Sequence, residues 1–195
     1  MTQLTLPGIE AGRLEHHLFF AVKPDRDTAA RIADQAGRLQ AEVPVEGRLQ
    51  DTDRFHITLQ SLGPFMQVPS GVAARACMAA QRIHVAPFDV TFDRILSFKG
   101  RPGNFPWVLT PDIAPGELTA FHQKLVDALN WAGFRASGKH FTPHVTLLYS
   151  ENRFRPREIA PITWSVREFV LIDSWFGKTH HEIKGCWPLS DDGLQ

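Results

Sequence analysis

Two four-residue stretches, His56-Ile57-Thr58-Leu59 and His144-Val145-Thr146-Leu147, repeat one pattern 144 − 56 = 88 positions apart. In each, a histidine and a threonine alternate with aliphatic residues. Strand side chains at i and i+2 share a face. Each stretch therefore presents an imidazole and a hydroxyl on one side and buries Ile57/Leu59 or Val145/Leu147 on the other. Two such strands set side by side line a cleft with two histidines and two hydroxyls.

The rest of the chain reads as elements that support this pair. Residues 18–22 form a short apolar strand ending before Pro24. In residues 25–40, Ala29, Ile32, Ala33, Ala36 and Leu39 recur at helical spacing, with Asp27 or Thr28 available as an N-cap. A polar, turn-like stretch over 43–53 leads to the first motif strand, which Gly63-Pro64 is expected to stop. Residues 72–83 favour helix, 88–96 and 107–110 read as strands, and 99–104 as a hairpin connection. A further helix is expected over 118–132 with Gly133 as its C-cap, followed by the second motif strand over 142–149. Residues 153–157 read as a loop, and 168–174 and 180–187 as two final strands. Each motif strand follows a helix, so the expectation is an α+β fold of two related lobes. The expected layout is an N-terminal arm over residues 1–14 and one bilobal domain over 15–190.

Composition narrows the function. With 195 residues, 43% of them hydrophobic, the chain can bury a sizeable core. The formal net charge is zero, without the basic excess that marks a general duplex binder. Cys77 and Cys186 show no CxxC spacing, so free thiols in a reducing compartment are expected. No continuous apolar run suits a secretory signal or a membrane span, and the expected location is the cytoplasm.

Histidine has an unperturbed pKa of about 6.5, so one of a pair can be neutral and the other protonated at cellular pH. Opening a phosphodiester uses both states: a base takes a proton from water while an acid protonates the leaving oxygen. The threonine hydroxyls suit non-bridging phosphate oxygens. His56 and His144 are thus the candidate catalytic pair, and Thr58 and Thr146 the candidate phosphate-binding residues. No metal or cofactor is demanded. The pairs His16-His17 and His180-His181 point to opposite strand faces and make no chelate. His140 and His144 have metal-site spacing only on a helix, which Pro143 and the strand alternation argue against. His84 and His122 are expected at the surface or in packing. Lys139, Arg153, Arg155 and Arg157 read as either a solvated loop or a phosphate-steering rim.

With both motifs in view, the chain resembles the 2H phosphoesterase superfamily, and within it the RNA 2′,3′-cyclic phosphodiesterases of the 2′–5′ RNA ligase family. The likeness rests on Leu18-Phe19-Phe20-Ala21-Val22, on His56-Ile57-Thr58-Leu59 closed by Leu62-Gly63, on Phe141-Thr142-Pro143-His144-Val145-Thr146-Leu147-Leu148 and on Trp187-Pro188-Leu189. The resemblance implies two mostly antiparallel sheets facing a central cleft, with helices on the outside. It also implies a monomer that hydrolyses a 2′,3′-cyclic phosphate, on RNA 3′ ends or small nucleotides, to a 2′-phosphate without a metal. His56 and His144 carry over as the catalytic pair, and 2′–5′ ligation as a possible accompanying activity. By analogy His144 protonates the departing oxygen and His56 assists the water; the residues themselves leave that order open. The chain departs from the pattern five residues after each histidine, with Ser61 for the usual Phe and Tyr149 for the usual Arg. Strand parity sets Tyr149 on the face opposite His144 unless a bulge intervenes. These departures keep two alternatives in play: a relative acting on another phosphodiester, such as a cyclic nucleotide derivative or a 2′–5′ linkage, and a non-catalytic RNA-end or nucleotide binder.

Overall fold

In the computed structural model, residues 14–43 and 46–190 are described; the expected N-terminal arm lies outside them except for Leu14. Among the described residues, eight strands and three α-helices follow one another as β1 (His16–Val22), α1 (Arg26–Glu42), β2 (Ile57–Phe65), α2 (Ser70–Ala80), β3 (Phe88–Ser97), β4 (Phe105–Thr110), α3 (Gly116–Trp131), β5 (Val145–Ser150), β6 (Arg157–Val166), β7 (Glu168–Trp175) and β8 (His180–Pro188). The α+β class is as expected. The strands pair antiparallel in the order β6-β3-β4-β5-β2-β1-β7-β8. The two expected sheets are therefore the halves of one eight-stranded sheet. β2 and β5 meet through one registered pair, Ile57 with Val145, so the sheet is pinched at its middle.

One sheet face carries the core. Leu18, Phe20, Val22, Ile57, Leu59, Val145, Leu147, Phe169 and Leu171 pack with helical Ile32, Leu39, Ala76, Ala79, Phe121, Leu125 and Leu129 in a single cluster. The apolar stripes of the helices cover this face. The other face holds a small cluster of Phe19, Ala21, Val170 and Ile172 and remains the open side.

Local chemistry sets the helix ends. α1 is capped by Asp25, whose carboxylate accepts from the Thr28 backbone N–H and hydroxyl at 2.8 Å each, so the cap precedes the expected Asp27 or Thr28. α3 ends in a Schellman arrangement. Gly133 takes φ +83°, Gly133 N–H donates to Asn130 O and Phe134 N–H to Leu129 O, as expected of that glycine.

Two departures share one cause. β2 runs through Gly63-Pro64 instead of stopping there, and β6, which contains Pro161, was not expected at all. Beyond Ile57, β2 has a registered partner only on its β1 side, and β6 pairs only with β3 at the sheet edge. An unpaired edge tolerates the missing proline N–H.

Candidate active site

The two motifs enter the sheet at the pinch. His56 and His144 each stand immediately before a strand, and the residues after them, Ile57 and Val145, are the registered partners. Continuing that antiparallel register by one residue each way sets Thr58 across from His144 and His56 across from Thr146. Thr58 and His144 line one cleft of about 300 Å³, together with Gln60, Ser61, Lys139 and His140. Burial alternates as parity demands: His56, Thr58, His144 and Thr146 are half-buried, whereas Ile57, Leu59, Val145 and Leu147 are buried.

The two imidazoles are built alike. His56 Nδ1 donates to the Arg54 carbonyl at 2.7 Å, and His144 Nδ1 to the Thr142 carbonyl at 2.8 Å. A carbonyl can only accept, so each bond fixes the proton on Nδ1 and leaves Nε2 to titrate. Each ring also packs on a phenylalanine: Phe19 lies 5.0 Å from His56 and Phe98 lies 4.9 Å from His144, centroid to centroid.

Their electrostatics differ. Burial pushes the His56 pKa down to about 4, its Arg54 hydrogen bond opposes this, and the charges of His144, Lys23 and Arg54 lower it further. For His144 the direction is also down through burial, opposed by its Thr142 hydrogen bond, with no neighbouring cation among the causes. His56 is thus the imidazole more firmly held neutral.

Both motif strands carry a bulge at the same place. Between β1 and β2 the register passes from Ala21–Thr58 to Phe20–Gln60, leaving Leu59 unpaired. Between β4 and β5 it passes from Val108–Thr146 to Trp107–Leu148, leaving Leu147 unpaired. An extra residue shifts the phase of the side chains beyond it. Leu147 and Leu148 are consequently both buried in the core, and Tyr149 emerges exposed on the face of Thr146. On the other strand, Ser61 Oγ bonds His17 Nε2 at 2.8 Å, and His17 stacks on the exposed Phe176. Ser61 and Tyr149 therefore both reach the open face.

The remaining expectations sort clearly. His16 turns to buried Asp173, 3.0 Å away, while His17 turns to Ser61, on opposite faces as parity requires. His122 is buried and stacked on Phe141, a packing role. Of the basic residues near the second motif, only Lys139 lines the cleft; Arg157 pairs with Glu42, and Arg153 lies over Phe105. His181 was missed. It packs edge-on against His56 at 5.5 Å, and both rings meet Phe19, His56 at 5.0 Å and His181 at 6.1 Å between centroids. Only this tertiary contact could have revealed it. Among the described residues no helix is long and apolar enough to cross a membrane.

Comparison with known proteins agrees with this architecture. No curated protein matches the chain by sequence. Among solved structures, Escherichia coli LigT complexed with 3′-AMP is 25% identical, with 90% of this chain and 98% of that chain covered and a TM-score of 0.68. A protein described as a phosphoesterase is 24% identical, covering 90% and 99% of the two chains at a TM-score of 0.67. The protein TT0787 of Thermus thermophilus is 19% identical, with 90% and 99% covered and a TM-score of 0.68. Likeness at 24% and 19% concerns the fold. The family model described as the 2′-5′ RNA ligase superfamily matches residues 54–174, a span that includes both His-x-Thr motifs. By that match, the chain belongs to the 2′-5′ RNA ligase superfamily.

Proposed function

We propose that this chain hydrolyses 2′,3′-cyclic phosphates, on RNA ends or nucleotides, to 2′-phosphates by two-histidine acid–base catalysis. The observation that carries the reading is the matched construction of His56 and His144, each with Nδ1 tied to the carbonyl two residues before it. In each ring Nε2 is the nitrogen left to exchange a proton.

His56, held neutral by burial and by Lys23 and Arg54, is the base. Its Nε2 takes a proton from water as the water oxygen attacks phosphorus. His144, in protonated form, gives its Nε2 proton to the 3′ oxygen as the P–O3′ bond breaks. The products are a 2′-phosphate and a free 3′-hydroxyl, with the proton now on His56 returning to solvent. A bound phosphate anion favours the protonated His144 that this step needs. Thr58 and Thr146 donate hydroxyl hydrogen bonds to the non-bridging oxygens, where charge grows. Support for a nucleotide-sized ligand comes from the LigT structure complexed with 3′-AMP.

The test is incubation of the protein, with chelator present, with an oligonucleotide ending in a 2′,3′-cyclic phosphate and with cyclic mononucleotides. Turnover that disappears in His56→Ala and in His144→Ala is the expected result. No turnover of either substrate by the unaltered protein would remove this reading. A second reading, action on a different phosphodiester, is favoured by one observation: Ser61 and Tyr149 both occupy the open face. A panel including 2′–5′-linked dinucleotides separates the two.

A further inference from the structure

Arg54 uses its two ends differently. Its carbonyl accepts the His56 Nδ1–H, and its guanidinium Nη2 lies 3.4 Å from His181 Nε2. A guanidinium only donates, so His181 accepts at Nε2 and carries its proton on Nδ1. His181 in turn packs edge-on against His56, with ring centroids 5.5 Å apart at 71°. The three residues close a ring of contacts: Arg54 backbone to His56, Arg54 side chain to His181, His181 ring to His56.

The charge in this cluster is uncompensated. No carboxylate pairs with Arg54 or with Lys23 among the described residues. Lys23 Nζ instead donates to the Asp53 carbonyl at 2.5 Å. Arg54 Nε and His181 Nδ1 are buried without a partner among the described residues. Arg54 thus touches both imidazoles, and Lys23 is tied to the carbonyl of the residue before it. Buried polar groups are normally partnered, and a half-buried guanidinium normally meets a carboxylate or a phosphate. Among the described residues neither is supplied, and the neighbouring group is the imidazole proposed to act at a phosphate.

We infer that Arg54 is a substrate-binding residue whose guanidinium takes a non-bridging oxygen of the scissile phosphate, and that His181 is the positioning residue that holds it against His56. The inference rests on the proposed function for its substrate. Attack on phosphorus concentrates negative charge on the non-bridging oxygens, and a fixed cation stabilises that charge most where water is excluded. The Arg54 fork can bond the phosphate while keeping Nη2 on His181; a lysine ammonium is a point charge and cannot hold both.

The probe is inorganic phosphate, titrated by calorimetry against the unaltered protein, R54Q, R54K, H181A and H181Q, alongside KM and kcat on the cyclic-phosphate oligonucleotide. R54Q is expected to weaken phosphate binding by about tenfold or more and to raise KM, with R54K recovering part of the loss. The acidic limb of kcat/KM should move to higher pH in R54Q, because a cation facing His56 is gone while Lys23, His144 and His181 remain. H181A should shift the same quantities less, and H181Q, whose amide oxygen can accept from Arg54, should restore them. Unchanged phosphate affinity in both R54Q and R54K overturns the inference. If R54Q fails to fold, R54K decides it: weaker phosphate binding at unchanged melting temperature supports the fork, and wild-type binding rejects it. If the unaltered protein binds phosphate through Arg54 yet opens no cyclic phosphate, Arg54 stands as a phosphate-binding residue and the proposed reaction falls.

Discussion

Ile57 and Val145 face each other as the one registered pair between the two halves of the sheet, and each directly follows a histidine. Both side chains are fully buried. The distance between the two catalytic candidates is thus set by core packing at a single point. Truncating Ile57 to Ala removes buried volume where the sheet has no second pair to compensate. The expected cost is about 2–5 kcal/mol, read from urea unfolding. Turnover should fall further than that of a variant equally destabilised in α1, such as Ile32→Ala.

The histidines should behave as a unit. His56→Ala and His144→Ala are each expected to lower kcat by about 10²- to 10⁴-fold, and the double variant to lose much less than the product of the two. Single-turnover kinetics on a cyclic-phosphate substrate measure this. A strictly multiplicative double variant would argue against concerted proton transfer.

Stability should weaken in mild acid. Burial lowers the pKa of His56 to about 4 and that of His181 to about 3, and lowers those of His17, His122 and His144 as well. In the unfolded chain these groups titrate near 6.5, so above that pH neither state is protonated and stability is complete. As pH falls below it, the unfolded chain takes up protons that the folded protein refuses, until each folded pKa is passed. Each such proton costs about 1.4 kcal/mol per pH unit. Melting temperature should therefore drop between about pH 6.5 and about pH 4, and the slope should be shallower in H181Q.

Tyr149 is exposed, so Tyr149→Arg should change stability by no more than about 0.5 kcal/mol. Adding a cation on the open face should tighten binding of a cyclic-phosphate oligonucleotide more than that of a cyclic mononucleotide. The salt dependence of oligonucleotide binding should steepen as well. Fluorescence anisotropy at several salt concentrations distinguishes this from a uniform gain.

The parts of this fold set by short-range pattern were readable along the chain. The alternation around His56 and His144, the helical spacing of Ala29, Ile32, Ala36 and Leu39, and the glycine stop at Gly133 each depend on neighbours a few positions away. What escaped depends on pairing. Pro64 looks like a strand breaker until β2 is seen to lack a registered partner on one side there. His181 looks like one of two adjacent histidines on opposite strand faces until its ring is seen packed with Phe19 against His56. Arg54 carries no motif of its own; its place follows from the hydrogen bond its carbonyl accepts from His56.

The bulges at Leu59 and Leu147 have a consequence for how such a protein can diversify. In an unbroken strand, the fifth residue after each histidine would point into the hydrophobic core, where most replacements are destabilising. The extra residue turns that position outward, onto the open face. Ser61 and Tyr149 can be exchanged without renegotiating the interior. Selection can change these two positions while the His-x-Thr motifs, three to five residues earlier in the sequence, keep their place in the sheet.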